Sequence, residues 1–321
     1  MTAWPVGAAT GIGSLPGTDA ALAQARTFEL LPDLPHLVEL PGRGPGADLV
    51  GRGAVLLTDL PVDLQPAGWR LVSRAGRDLR RSRDLLARDL DVLAGVADGY
   101  EGPLKIQAAG PWTLAASLEL PRGDRALADH GAVADVAAAL ADGLAQHVDT
   151  VARLVPGAEV LVQLDEPSLP AVLAGRLRTA SGFAGLRTPE TSEAQAILSV
   201  VLSAVERPGV HCCAPAVPVG LLRAAGAAWV SLDATRRQDE DQIGEAYEAG
   251  TTLLLGVDGD VGPARDLLRR LGLSPAVTRA QTVLTPTCGL GGERLDADPW
   301  PVYRRTVQVA RAFADELAEA L

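Results

Sequence analysis

Short apolar or β-branched runs bounded by Gly and Pro alternate along the chain with longer segments in which apolar residues recur every three or four positions. The first kind suits strands buried on both faces, and the second suits amphipathic helices. Eight runs are of the strand kind: residues 8–14, 36–40, 104–109, 160–165, 209–213, 228–233, 252–258 and 282–288. Between them the spacing predicts helices over 76–97, 132–154, 191–205, 218–225, 263–271 and 300–321. Strands alternating with helices imply βαβ units and a parallel sheet. Eight such units predict an α/β fold of the (β/α)8 TIM-barrel type, with extra or lid-like helices in the longer stretches after the second, third and fourth strands. No linker-like, repeated or low-complexity segment divides the chain, so residues 1–321 read as one domain.

In such a barrel the chemistry sits at the C-terminal ends of the strands, and here nearly every predicted strand ends in a polar side chain. Ser14 closes the first and Glu39 the second. Gln107 approaches the end of the third, and Asp165 with Glu166 closes the fourth. His211 and Cys213 close the fifth, Asp233 the sixth, Asp258 the seventh and Cys288 the eighth. A single Asp or Ser at a strand end is as well explained by capping of the next helix, but the whole set favours an active site.

Composition narrows the partners. A net charge of −11 opposes binding to nucleic acid or to an anionic membrane surface over most of the molecule. Three cysteines, two of them adjacent, cannot build a disulfide framework and suit a reducing cytoplasm. The N-terminus lacks a basic region followed by an apolar run, and apolar stretches such as 132–145 are broken by Asp135 and Asp142, so neither export nor membrane spanning is expected. Lys105 is the sole lysine, which reads as genome composition.

The most informative motif is His211-Cys212-Cys213, with Cys288 far downstream. Residues two apart on a strand share a face, so His211 and Cys213 project together and Cys212 points away. An imidazole and two thiolates on neighbouring strands suit a zinc ion with one position left open for a substrate. Packing is the competing role, since cysteine is a good buried apolar residue; for Cys212 that role is the expected one. Gly11-Ile-Gly13-Ser14-Leu-Pro16 is no dinucleotide fingerprint, because the third glycine position is Pro16, which lacks a donor. Gly289-Leu-Gly291-Gly292 lets the backbone pass close to the metal site. Asp165 shares a face with Gln163 and is suited to hold a substrate ammonium, or else to cap the helix after Pro167. Trp112 either paves a pocket mouth or packs under a loop. The Arg and Asp run over 77–88 is a solvated helix face.

Ile12-Gly-Ser14-Leu-Pro16, Gly110-Pro111-x-Thr113, Asp165-Glu166-Pro167, His211-x-Cys213 and Cys288-Gly-Leu, in that order on successive strands, resemble the catalytic C-terminal barrel of cobalamin-independent methionine synthase. The resemblance spans nearly the whole chain. It implies a methyltransferase of methionine biosynthesis in which zinc, held by His, two Cys and a sixth-strand carboxylate, binds homocysteine as a thiolate. Carried over, the metal ligands are His211, Cys213 and Cys288, with Asp233 in place of the family's Glu. Ser14 and Asp165 would hold the amino-acid end of the substrate, and Glu39, Glu166 and Trp112 are further substrate-binding candidates.

The chain departs from the family on the folate side. The histidine expected after the seventh strand falls at Asp258-Gly-Asp260, leaving Asp258 as the candidate proton-handling residue beside Asp165. The folate-stacking tryptophan aligns with Ser117, and the family's acid after the second strand falls near Arg43, with Glu39 as substitute. The long form's N-terminal half is missing from this sequence. The expectation is therefore a homocysteine S-methyltransferase whose donor is a methylated corrinoid protein rather than methyltetrahydrofolate. An alkyltransferase for another small thiol, and a non-catalytic zinc or homocysteine-binding protein, are the alternatives.

Overall fold

The computed structural model describes residues 4–292 and 298–321. Its helices are α1 (Ala20–Leu30), α2 (Leu49–Val55), α3 (Arg77–Val96), α4 (Pro111–Ser117), α5 (His130–Leu154), α6 (Leu169–Leu173), α7 (Thr191–Leu202), α8 (Val219–Ala224), α9 (Glu240–Glu248), α10 (Gly262–Arg270), α11 (Pro275–Gln281) and α12 (Trp300–Glu319). A small antiparallel hairpin, β1 (Val62–Gln65) and β2 (Gly68–Leu71), stands apart from the main sheet. The main sheet is parallel, in the order β3 (Gly102–Ala109), β4 (Ala158–Asp165), β5 (Gly209–Cys212), β6 (Trp229–Asp233), β7 (Thr252–Gly256), β8 (Thr282–Thr285).

Residues 8–14 and 36–40 take the first two places in the ring, but as single bridges rather than continuous strands. Ala9 pairs with Leu284, Ser14 with Glu39, and His36 with Lys105, all parallel, so the curled sheet continues from β8 through both segments back to β3. The Leu15 amide donates to Glu39 O at 2.9 Å and the Leu37 amide to Lys105 O at 2.9 Å. The ladder is broken for a local reason. Gly13 has φ 152°, and Pro16, Pro35 and Pro41 remove amide donors from the flanks.

Inside the ring, Leu34, Leu161, Trp229, Leu254 and Val283 form an apolar floor, with Trp4 edge-on to Trp229 at 5.7 Å. The outer face of the sheet packs on the helices through the main core, where Leu104, Val162, Val210, Leu232 and Leu253 are all fully shielded. Strand residues buried on both sides read as continuous apolar runs, which is why the sequence pattern located β3 to β8 within a few residues.

The expected helices over 76–97, 132–154, 191–205, 218–225, 263–271 and 300–321 correspond to α3, α5, α7, α8, α10 and α12. Asp129 caps α5 by accepting from the Ala132 amide at 2.8 Å. The stretch after the second segment holds α2 and the β1–β2 hairpin as well as α3. That hairpin is an addition to the expectation: its Val62 and Trp69 face the core while Pro61 and Pro66 break the run that would have revealed it.

Candidate metal and substrate site

β5 is buried throughout, and Cys213 is the first residue beyond it, so His211 and Cys213 leave the strand on one side. Cys288 follows β8 by three residues. The ligand atoms of His211, Cys213 and Cys288 all lie within 4.8 Å of one another. The sulfurs of Cys213 and Cys288 are 3.2 Å apart, within hydrogen-bond distance. Cys288 is pushed down to about 4, first by the Cys213 thiol and then by the His211 ring, while that same hydrogen bond and burial push Cys213 upward. Cys212 points into the core, and burial raises its thiol to about 12.

Across the β5–β6 pair, His211 Nδ1 lies 2.9 Å from Ser231 Oγ. The other ring nitrogen, Nε2, is buried and has no hydrogen-bond partner among the described residues. A ring pinned at Nδ1 with Nε2 left over beside two sulfurs is the arrangement a metal-binding histidine adopts. The N, S, S donor set fits a zinc ion. Ser231 is a residue the sequence reading missed, although strand alternation places it on the same face as Asp233.

Asp233 does not join the three ligands. Its Oδ1 accepts from the Thr235 amide at 2.9 Å and the Thr235 hydroxyl at 2.6 Å, and its Oδ2 from Arg236 Nε at 2.9 Å. Both oxygens are spent on its own loop.

His211, Cys213 and Cys288 form one wall of a cavity of ≈ 370 Å³ whose other walls include Ile12, Ser14, Glu39 and Asp165. Ser14 Oγ accepts from the Gly291 amide at 3.3 Å, and a side chain at Gly289 would strike that same hydroxyl, so the glycine run does bring the backbone against the site. The Asp165 carboxyl is held well above the usual range by burial first and by the Glu39 charge next; Lys105 and the Gln163 amide, 2.8 Å from Oδ1, pull the other way. Glu39 receives Arg52 Nε at 3.2 Å, and Arg52 continues to Asp89 at 2.6 Å, where Arg43 joins at 2.7 Å. A larger hollow of ≈ 640 Å³ lies over the loop after β6, but its lining of Arg236, Arg237, Arg270 and neighbours contains none of the converging ligands.

Three further candidates stand outside the cavity. Glu166 is fully buried, and its two oxygens accept from the Trp112 amide at 2.9 Å, the Thr113 amide at 2.8 Å and the Thr113 hydroxyl at 2.7 Å. It anchors the start of α4, and burial pushes its carboxyl up to about 7 against those three hydrogen bonds. Trp112 is completely shielded, its indole donating to Ala194 O at 3.1 Å on α7, so of its two readings the structure favours packing. Asp258 is exposed and accepts from the Thr287 hydroxyl at 2.8 Å.

No protein-family model and no curated protein matches the sequence. Among solved structures, a B12-independent methionine synthase from Shewanella sp. W3-18-1, in complex with selenomethionine, aligns with TM-score 0.64 over 98% of this chain and 100% of its own, at 10% identity. The chain has a methionine-synthase-like fold. At that identity the likeness is one of architecture. Among the described residues, no helix is long and apolar enough to cross a membrane.

Proposed function

We propose that the protein is a zinc-dependent S-methyltransferase that accepts homocysteine and forms methionine in the cytoplasm. The observation that carries this reading is the meeting of His211, Cys213 and Cys288 on the wall of a cavity that also presents Asp165 and Ser14. Zinc at those ligands would strip the proton from a substrate thiol while leaving its sulfur able to attack carbon. Ser231 fixes the His211 ring for that purpose, and Asp165 takes the substrate ammonium through a charge-assisted hydrogen bond. The Ser14 hydroxyl faces the same cavity as a second polar contact. In the reaction a sulfur–carbon bond forms as the donor's bond to the methyl group breaks, and the thiol proton passes to solvent.

For the donor we infer a methylated corrinoid protein. A corrinoid leaves as a reduced cobalt species that needs no proton, whereas a departing folate amine does, and general-acid help is worth roughly 10²–10⁴-fold. Asp258, where folate users of the family carry a histidine, is exposed and engaged by Thr287, and Trp112 is packed away from the cavity. The Shewanella protein is described as B12-independent, so the donor is the point at which this chain is proposed to differ.

Methionine formed by zinc-loaded protein from homocysteine, with a methylated corrinoid protein or methylcobalamin compared against methyltetrahydrofolate, tests both statements. Turnover with methyltetrahydrofolate alone overturns the donor assignment. Bound zinc and bound homocysteine with no turnover from either donor overturns the enzyme reading in favour of a binding protein, and activity restricted to another thiol makes it an alkyltransferase of that thiol.

A further inference from the structure

The chain's one lysine stands inside the barrel, completely shielded from solvent. A buried ammonium is strongly unfavourable unless acceptors and opposite charge surround it, so the site must compensate it. In the β3–β4 register, Lys105 lies beside Leu161 of the apolar floor, Gln107 beside Gln163, and Ala109 beside Asp165. The lysine stem therefore rises from the floor and delivers its charge to the polar level above. There Nζ donates to Ile12 O at 2.8 Å, and Gln163 Nε2 donates both to that same oxygen and to Asp165 Oδ1, each at 2.8 Å. Burial pushes Lys105 down to about 8, and the charges of Asp165 and then Glu39 work against that fall.

Ile12, Ser14, Glu39 and Asp165 line the cavity, and Lys105 does not. Its contact with a ligand is thus indirect. It holds the Ile12 carbonyl, and the next residue, Gly13, passes so close to Gln107 that a Cβ there would lie 2.8 Å from that side chain. Ser14 is held on its other side by Gly291. Two carboxylates opening on one cavity repel each other, and burial followed by the Glu39 charge favours the protonated form of Asp165. Arg52 serves Glu39, and Lys105 is the cation whose charge favours the ionised form of Asp165.

We propose that Lys105 is the positioning residue of the amino-acid end of the pocket: it sets the Ile12–Ser14 segment and supplies the counter-charge that keeps Asp165 and Glu39 ready for a ligand bearing an ammonium group. The proposal rests on the reading of the cavity as an amino-acid thiol site, and it makes the protein selective for that ammonium rather than for the sulfur alone.

A chain grown on lysine labelled with ¹³C at Cε carries one lysine side-chain signal, which needs no variant for its assignment. In ligand-free protein, Asp165→Asn and Glu39→Gln should each displace that signal. In zinc-loaded protein, homocysteine should displace it further than 4-mercaptobutyrate, the same thiol without the ammonium. Lys105→Met, which keeps the stem and removes the charge, should hold its zinc and lower the homocysteine to 4-mercaptobutyrate affinity ratio by about tenfold or more, the effect of losing one hydrogen bond to a charged group. A lysine signal indifferent to both acid substitutions overturns the proposal, as does a Lys105→Met protein that loses affinity for both thiols equally. If homocysteine does not bind at all, the reading of the function fails on its own, and the ligand-free response to Asp165→Asn and Glu39→Gln still decides the charge relationship. If Lys105→Met does not fold, those same measurements on the intact lysine decide it.

Discussion

His211 and Ser231 face one another across neighbouring strands, Nδ1 2.9 Å from Oγ, which leaves the buried Nε2 as the ring nitrogen without a hydrogen-bond partner among the described residues. The contact follows from register, since His211 and Ser231 are direct partners in the β5–β6 ladder. Loss of an outer partner of a metal-bound histidine typically costs about 10–100-fold in metal affinity. Ser231→Ala should weaken zinc binding within that range without altering the fold, measured by competition with a chromophoric chelator.

The purified protein should hold about one zinc per chain. His211→Ala, Cys213→Ser and Cys288→Ser should each lower the metal content sharply, while Cys212→Ser leaves it near normal because that sulfur lies in the core. Elemental analysis decides it; a Cys212→Ser protein that loses its metal would show that the facing of the two adjacent cysteines is reversed.

Asp165→Asn should weaken homocysteine binding by roughly 1.5–3 kcal/mol, the range for a hydrogen bond to a charged group, and leave zinc in place. Calorimetry gives the affinity and, across buffers of different ionisation enthalpy, a release of close to one proton as the thiol binds. Methionine, with no proton on sulfur, should release none.

Glu166→Ala should act on stability rather than on the ligand. It removes the acceptor for two amides and a hydroxyl at the start of α4, a loss of roughly 3 kcal/mol or more when the donors stay buried. Urea unfolding should report that loss while zinc content is unchanged. A fully stable Glu166→Ala protein with impaired homocysteine binding would return Glu166 to the substrate side.

Acid should destabilise the fold through two buried histidines. Burial, then the Lys105 charge, lowers His36 to about 3, and burial, then the Arg52 charge, lowers His147 to about 4. Both lie below the 6.5 of an exposed imidazole, so as pH falls from there towards 4 the unfolded chain gains protons that the folded chain refuses. Stability is complete above that window and is lost within it, by up to ~1.4 kcal/mol per pH unit for each group. The raised carboxyls of Asp165 and Glu166 slope the other way. Comparing the pH slope of the unfolding free energy of His36→Gln with that of the parent isolates the histidine, and the variant's slope should be less positive between pH 4 and 6.5.

The sequence by itself determined the order of strands and helices, because residues buried on both faces of a parallel sheet must be apolar in unbroken runs, and that demand is local. It also determined that His211 and Cys213 leave their strand on one side, since alternation along a strand is a property of the backbone. What lies two strands away is not local. Whether a strand-end acid enters the cavity depends on which hydrogen-bond partners reach it first: Asp165 turns in, Glu166 is taken by α4, and Asp233 is taken by Thr235 and Arg236. Lys105 shows the same limit most plainly. As a letter in the chain it signals composition, and only closure of the barrel puts its charge beneath Ile12, Glu39 and Asp165.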